Sequence, residues 1–142
     1  MKKDLLKICL MCIIVVFVCS SCSWLYTQKY ACDVEQVKSV EIVTLHKFIK
    51  EEHRYGYTVI EQVSDYSTFV NNLNKVEQSI IGSPPPVLNE NDIVIKIDYL
   101  NGDYDLIHQD AQCFCRSGQI EGGHYFFDDV QFNALISDYL AE

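Results

Sequence analysis

Cysteines are the residues of this chain whose type and spacing offer the most chemistry. Of its seven cysteines, three lie beyond the first 22 residues, at Cys32, Cys113 and Cys115. On an extended strand, residues two apart share a face, so Cys113 and Cys115 present both sulfurs together at a Cα separation of about 6.5–7 Å, the upper limit for a disulfide. In an oxidising compartment we therefore expect a disulfide between Cys32 and either Cys113 or Cys115.

The same pair could also bind a metal ion. Two thiolates on one face, with His108 or His124 from neighbouring strands, would make a tetrahedral zinc or copper(I) site. A single Cys-x-Cys lacks the second pair that zinc ribbons carry. We therefore keep a metal- or thiol-active protein as the alternative and predict no metal and no cofactor.

Four aspartates surround the dipeptide Asn101-Gly102. A calcium-binding loop of the EF type needs oxygen ligands at alternating positions before its glycine, and Leu100 and Asn101 precede Gly102. Turn chemistry explains the carboxylates better, and we expect Asp103 and Asp105 to be exposed turn residues. No nucleophile or phosphate-binding motif occurs in the chain, so we expect no enzymatic activity. The aspartates are Asp98, Asp103, Asp105 and Asp110.

Tyrosines could supply a recognition surface. Aromatic residues make up 12% of the chain, and five of the tyrosines lie on or beside predicted strands. Tyrosine is enriched where proteins bind partners, but it is also a good strand former, and strand formation is the simpler explanation. The five are Tyr55, Tyr57, Tyr99, Tyr104 and Tyr125.

The N-terminus has the pattern of an export signal. Lysines flank the start of an uncharged run from Ile8 to Cys19, and small residues follow it. The stretch Val18-Cys19-Ser20-Ser21-Cys22 resembles the lipobox of bacterial lipoproteins, in which the final cysteine receives a diacylglyceryl group. The resemblance covers about the first 23 residues and implies that Cys22 is lipidated. Cys19 stands where the family usually has leucine.

The alternative is an uncleaved signal anchor over Ile8 to Tyr26, with Trp24 and Tyr26 at the membrane interface. Both alternatives place the following domain on the extracytoplasmic side of the cell membrane, because the lysines stay inside. A lipoprotein would be held there by its acyl chains.

The chain after Ser21 has 121 residues, enough for one domain. It carries 8 basic and 19 acidic residues, a net charge of −11, against −9 for the whole chain. Such a surface repels phosphate backbones, so we expect no nucleic-acid partner. We expect a monomeric, non-enzymatic binding module that recognises another envelope or extracellular protein.

The predicted elements indicate an α+β fold. Asp92 to His108 alternates apolar and polar residues on both sides of Asn101-Gly102, which favours a hairpin with a type I′ turn. Capping residues precede two amphipathic stretches, from Ser64 or Asp65 to about Gln78 and after Asp128. The prediction is an antiparallel sheet of about five to six strands with two helices on one face, in the order ββα-βββ(β)-α. Its boundaries are a lipoprotein signal at 1–21, the lipidated cysteine and a tether at 22–36, and a single domain at 37–142.

Overall fold

Nine strands and two α-helices make up the part of the chain that the computed structural model describes, which is 27–80, 88–123 and 125–140. The predicted export signal with Cys22, residues 81–87 and His124 lie outside the described residues. The helices are α1 Tyr66–Leu73 and α2 Asp129–Leu140. The strands are β1 Thr27–Lys29, β2 Val37–Ile49, β3 Arg54–Gln62, β4 Glu77–Ile80, β5 Ile93–Tyr99, β6 Tyr104–Ile107, β7 Gln112–Arg116, β8 Gln119–Gly123 and β9 Tyr125–Phe127.

Six of the strands form one antiparallel sheet in the order β3-β2-β5-β6-β7-β8. Short connections join β2 to β3 and join each of the strands β5 to β8 to the next. The chain passes from β3 to β5 through α1 and β4. The hairpin β5–β6 lies at its centre and pairs Ile95 with Ile107. The α+β class and the six-stranded antiparallel sheet predicted from the sequence are therefore confirmed.

The two faces of this sheet are different. One face, the helix face, carries Val40, Ile42, Ile95, Ile97 and Ile107. Both helices pack against that face, because Phe69, Val70 and Leu73 of α1 and Phe132 of α2 belong to the same buried cluster. The opposite face, the pocket face, carries a smaller buried cluster of Val43, Leu45, Val94, Leu106 and Cys113, and Leu88 covers part of it.

A second sheet of three strands, β1-β4-β9, was not predicted. Its first strand lies in the stretch 22–36, which the sequence analysis treats as a tether, and Tyr30 and Cys32 just after it are buried. The side chain of Asn74, at the end of α1, accepts from the Cys32 N–H and donates to the Cys32 carbonyl at 2.9 and 2.8 Å. Residues 27–36 are therefore packed against the domain, and the described part of the fold begins at Thr27, ten residues before the expected boundary at residue 37.

The predicted start of each helix is correct. The carboxylate of Asp65 accepts from Thr68 N–H at 3.0 Å, and that of Asp128 accepts from Gln131 N–H at 2.9 Å. However, α1 ends at Leu73 and not near Gln78, because Glu77–Ile80 pairs with β1 and β9. Within the described residues no helix is long and apolar enough to span a membrane.

Two turns differ from the sequence-based prediction. Gly102 has φ +90°, but Asn101 has no positive φ, so the central turn is not of type I′. Four residues, Leu100 to Asp103, separate β5 from β6, and the Asn101 carbonyl side-chain oxygen accepts from Asp103 N–H at 3.0 Å. The glycine-rich sequence from Ser117 to Gly123 favours a turn, yet Ser117 and Gly118 alone reverse the chain with φ of 52° and 79°, and Gln119–Gly123 form β8.

Candidate functional site

The cysteines do not form the predicted disulfide. Cys32 lies in the buried cluster of the helix face, whereas Cys113 lies in that of the pocket face. Cys115 shares the pocket face, since it pairs with Tyr104 two positions along from the Leu106–Cys113 pair. The sheet therefore separates Cys32 from both possible partners, and the three described cysteines are free and buried.

The metal site is not assembled among the described residues. They contain no group of three or more His, Cys, Asp or Glu side chains that could hold a metal ion. His108 follows β6, and its Nδ1 accepts from the Asp110 N–H at 3.2 Å; His124 lies outside the described residues. Burial raises the pKa of the Cys113 thiol to about 11, which holds it in the unreactive neutral form at neutral pH.

Three of the five predicted tyrosines meet at one place on the pocket face. Tyr55 and Tyr57 come from β3 and Tyr104 comes from β6, and all three line the same pocket. Tyr99 is not part of this group, because its hydroxyl lies on the helix face beside Asp105. The side chain of Tyr125 lies outside the described residues.

We call this concavity the tyrosine pocket. Its volume is about 160 Å³, below the 300–1,000 Å³ usual for pockets that hold drug-sized ligands. Two irregularities in the β2–β3 ladder, between Ile42 and Val43 and between Leu45 and Phe48, accompany the long hairpin that supplies one of its walls. The lining residues are Arg54, Tyr55, Tyr57, Lys96, Asp98, Tyr104 and Leu106.

Lys96 is the charged residue at the centre of the pocket wall. Its side chain is only 8% exposed, and its ammonium group contacts the Asp98 carboxylate and lies 3.6 Å from that of Glu41. The same ammonium lies 4.9 Å from the centre of the Tyr57 ring and 6.0 Å from that of Tyr104. Burial acts to lower the pKa of Lys96, but the hydrogen bond and attraction from Asp98 raise it on balance, so this lysine stays charged.

Burial keeps two tyrosines of the pocket in the neutral phenol form. Burial, together with the neighbouring Cys115 thiol, raises the pKa of Tyr104. Burial also raises the pKa of Tyr55, and Cys113 and Asp92 add to this effect. The pocket therefore offers three phenol groups and two cations. Arg54 is more than half exposed and contacts Glu52 at 2.5 Å. Such a wall can bind an aromatic, polar or anionic side chain, but it holds no activated nucleophile.

One of the four aspartates, Asp105, is buried, contrary to the expectation that it is an exposed turn residue. Asp105 is 1% exposed and points to the helix face, whereas Asp103 has the predicted turn role and accepts from Ser117 N–H at 2.8 Å. Asp98 lines the tyrosine pocket, and Asp110 is exposed. Alternation along β6 places Asp105 with Ile107, and that face is covered by the helices and by the segment that contains Tyr30.

Asp105 is held by a group of residues that we call the Asp105 cluster. The hydroxyls of Tyr30 and Tyr99 each donate to its Oδ2 at 2.5 Å, and the Arg116 guanidinium lies 2.6 Å from its Oδ1. Cys32 Sγ lies 3.4 Å from the Tyr99 hydroxyl. Burial, reinforced by the charge of Asp105, raises the pKa of both tyrosines, and burial raises that of Cys32. The cluster therefore anchors the N-terminal segment and supplies no reactive group.

A larger groove lies between the two helices, with a volume of about 410 Å³. Several of its polar residues already support the fold: Asp65 caps α1, and the Gln131 side chain accepts from Glu77 N–H at 3.2 Å. Its two aromatic residues, Phe69 and Tyr139, pack edge to face against each other, and its one lysine, Lys75, donates to Asn72 Oδ1 at 3.3 Å. The tyrosine pocket is therefore the better candidate site.

Comparison of the chain with protein-family models, with curated proteins and with solved structures finds no match in any of the three. The candidate site therefore depends on geometry alone.

Two charged pocket residues were missed by sequence reasoning. Lys96 alternates with isoleucines along β5, which is typical of the polar face of a half-exposed strand, and Arg54 lies in a charged stretch that ends in Gly56 and is typical of a turn. The signal for Lys96 was its position between Val94 and Asp98 on a strand flanked by apolar residues, which indicates a lysine whose stem is buried. Nothing in the sequence brings Arg54 near β6, because that proximity depends on the β2–β3 ladder.

Proposed function

We propose that this chain is a lipid-anchored extracytoplasmic protein whose domain is a non-enzymatic binding module, with the tyrosine pocket as its recognition site. The observation that carries the proposal is the convergence of Tyr55, Tyr57 and Tyr104 around the buried Lys96. The lipid anchor at Cys22 is supported by the lipobox-like sequence before it.

The size of the pocket supports a protein partner over a free small molecule. A concavity of about 160 Å³ has room for a side chain of a partner and little more. Tyrosine and arginine are the residues most enriched in the energetically important centres of protein interfaces, and both are present here. Tyr57 is 39% exposed, so a partner can reach its ring.

Both cations of the pocket already have carboxylate partners. Lys96 contacts Asp98 and lies 3.6 Å from Glu41, and Arg54 contacts Glu52 at 2.5 Å. A side chain of an envelope protein that enters the pocket would therefore meet paired cations and phenol groups, which favours an aromatic or polar side chain over a carboxylate.

A comparison of pocket variants tests this proposal. The full chain, purified in detergent, is immobilised and exposed to solubilised envelope proteins from the cells that make it, and bound proteins are quantified by mass spectrometry. Val130→Ala is the control, because Val130 is 78% exposed on α2 and lies outside the pocket lining. We expect at least one envelope protein that binds the unchanged chain and the control and is lost with Tyr104→Ala. An identical set of bound proteins on all three, with folding checked by thermal melts, contradicts the proposal.

A further inference from the structure

β3 forms an edge of the six-stranded sheet, and no other described strand pairs with its outer side. The strand is nine residues long and is exposed over most of its length. Three of its apolar side chains are among the most exposed in the described chain: Tyr57 at 39%, Val59 at 44% and Ile60 at 43%. A long apolar edge is a template for a further strand, since its outer N–H and C=O groups are free to pair.

The sequence of β3 is complementary to itself when two copies are paired antiparallel about Tyr57. Tyr55 lies two ladder positions to one side of Tyr57, and Val59 lies two positions to the other. Ile60 is an extra residue in the ladder, because Val59 pairs with Val43 and Glu61 pairs with the next residue, Ile42. Glu61 is therefore three ladder positions from Tyr57, as is Arg54 on the opposite side.

A two-fold axis that is perpendicular to the sheet and passes between the two copies of Tyr57 would therefore relate the two β3 strands. Each residue of one strand would then lie opposite a residue of the other strand that it can pack against or pair with. Tyr57 would lie opposite Tyr57 of the second copy, and Tyr55 opposite Val59. Arg54 would lie opposite Glu61, and the symmetry would repeat this pair of opposite charges. Aromatic with β-branched pairs and opposite-charge pairs are those that stabilise neighbouring antiparallel strands.

The charge of the β2–β3 hairpin also permits a second copy to approach. Residues 37–62 carry four basic and four acidic side chains, so this hairpin is neutral in a chain whose net charge is −9. Repulsion between two acidic copies is therefore reduced at this edge. The basic residues are Lys38, Lys47, Lys50 and Arg54, and the acidic ones are Glu41, Glu51, Glu52 and Glu61.

We propose that two copies of this chain pair through their β3 edges about Tyr57 and form a symmetric dimer. This proposal replaces the monomer expected from the sequence, which gave no indication that β3 is an open edge. The two six-stranded sheets become one continuous sheet, and because the axis is perpendicular to it, both tyrosine pockets face the same side.

Cysteine cross-linking of the full chain in whole cells tests this register. Directly opposed residues of antiparallel strands have Cα atoms about 4.5–5.5 Å apart, within the range that a disulfide spans. Tyr57→Cys should therefore give a covalent dimer on non-reducing gels after copper–phenanthroline oxidation. Val59→Cys is the matched control, because it is equally exposed on the same edge but faces position 55 of the other copy.

Charge exchange provides an independent readout. In the Tyr57→Cys background, Arg54→Glu or Glu61→Arg alone should lower the dimer yield severalfold, and the two together should restore it. A yield from Tyr57→Cys no greater than that from Val59→Cys overturns the proposal, as does failure of the double exchange to restore it. If Tyr57→Cys does not accumulate in cells, the double variant Tyr55→Cys, Val59→Cys presents two further opposed pairs and must cross-link for the proposal to stand.

Discussion

Asp105→Asn is the substitution for which the structure predicts the largest effect from the loss of a single charge. The carboxylate is buried, accepts from Tyr30 and Tyr99 at 2.5 Å, and pairs with Arg116 at 2.6 Å. The asparagine side chain has nearly the same shape but no charge, and its amide nitrogen cannot accept from the hydroxyls. The change therefore removes electrostatic and hydrogen-bond energy and creates no cavity.

The magnitude follows from the environment of Arg116. Removing one partner of a buried ion pair costs about 3–5 kcal/mol, because the other charge is left unpaired. The Arg116 side chain is 42% exposed, so water can solvate part of the orphaned guanidinium, and the lower end of about 3 kcal/mol applies. For a domain of this size that loss lowers the melting temperature by roughly 10 °C or somewhat more.

Thermal and urea unfolding, followed by circular dichroism, measure this loss. Asp110→Asn is the matched control, because Asp110 is an exposed aspartate in the same stretch of chain and should leave stability unchanged. Tyr30→Phe should cost less than Asp105→Asn, at about 1.5 kcal/mol, since Asp105 keeps its other two partners. Equal stability of Asp105→Asn and Asp110→Asn would refute the burial of this carboxylate and the anchoring of the N-terminal segment.

Further predictions concern the lipid anchor, the thiols and the central turn. Cys22→Ala should lose radiolabelled palmitate and partition into the aqueous phase of a detergent extraction, whereas Cys19→Leu should remain lipidated; unchanged labelling of Cys22→Ala would exclude it as the attachment site. Thiol titration of the unfolded, unreduced mature chain should find all three domain cysteines reactive, and a count of one would restore the rejected disulfide. Burial raises the pKa of Cys113 from 9.0 to about 11, so on raising the pH the thiol of the unfolded chain loses its proton before that of the folded chain. The free energy of unfolding should therefore fall between pH 9 and 11 by up to about 1.4 kcal/mol per pH unit, and it should fall less steeply in Cys113→Ala. Gly102→Ala should lower the free energy of unfolding by about 1–2 kcal/mol, because Gly102 has φ +90°, which strains a residue with a Cβ. No atom lies within 4 Å of the added Cβ, so a clash contributes nothing to this cost. An unchanged melting temperature would mean that this turn does not need a left-handed residue.

The regular elements could be predicted from the sequence because their signals are local. Alternation located β5 and β6, and the capping carboxylates of Asp65 and Asp128 located the starts of both helices. The three-stranded sheet could not be predicted in this way. Its strands are only three or four residues long and come from distant parts of the chain, so their pairing depends on the tertiary fold.

The errors at the site have a common physical origin. An aspartate on a strand next to a glycine-containing turn is expected to be exposed. Asp105 is buried because the N-terminal segment packs over it and places the Tyr30 hydroxyl within hydrogen-bond distance. The same segment carries Cys32 to the helix face and away from Cys113. Sequence spacing indicates which face of a strand a residue occupies, but not what covers that face.

Photo-cross-linking from inside the tyrosine pocket tests the central claim most directly. A benzophenone amino acid replaces Tyr104 in the full chain in intact cells, and the control carries it at Val130, which is 78% exposed on α2. The account predicts an adduct with a distinct envelope protein from position 104 and none from position 130. No adduct at position 104, or the same products from both positions, would contradict the assignment of this pocket as the recognition site.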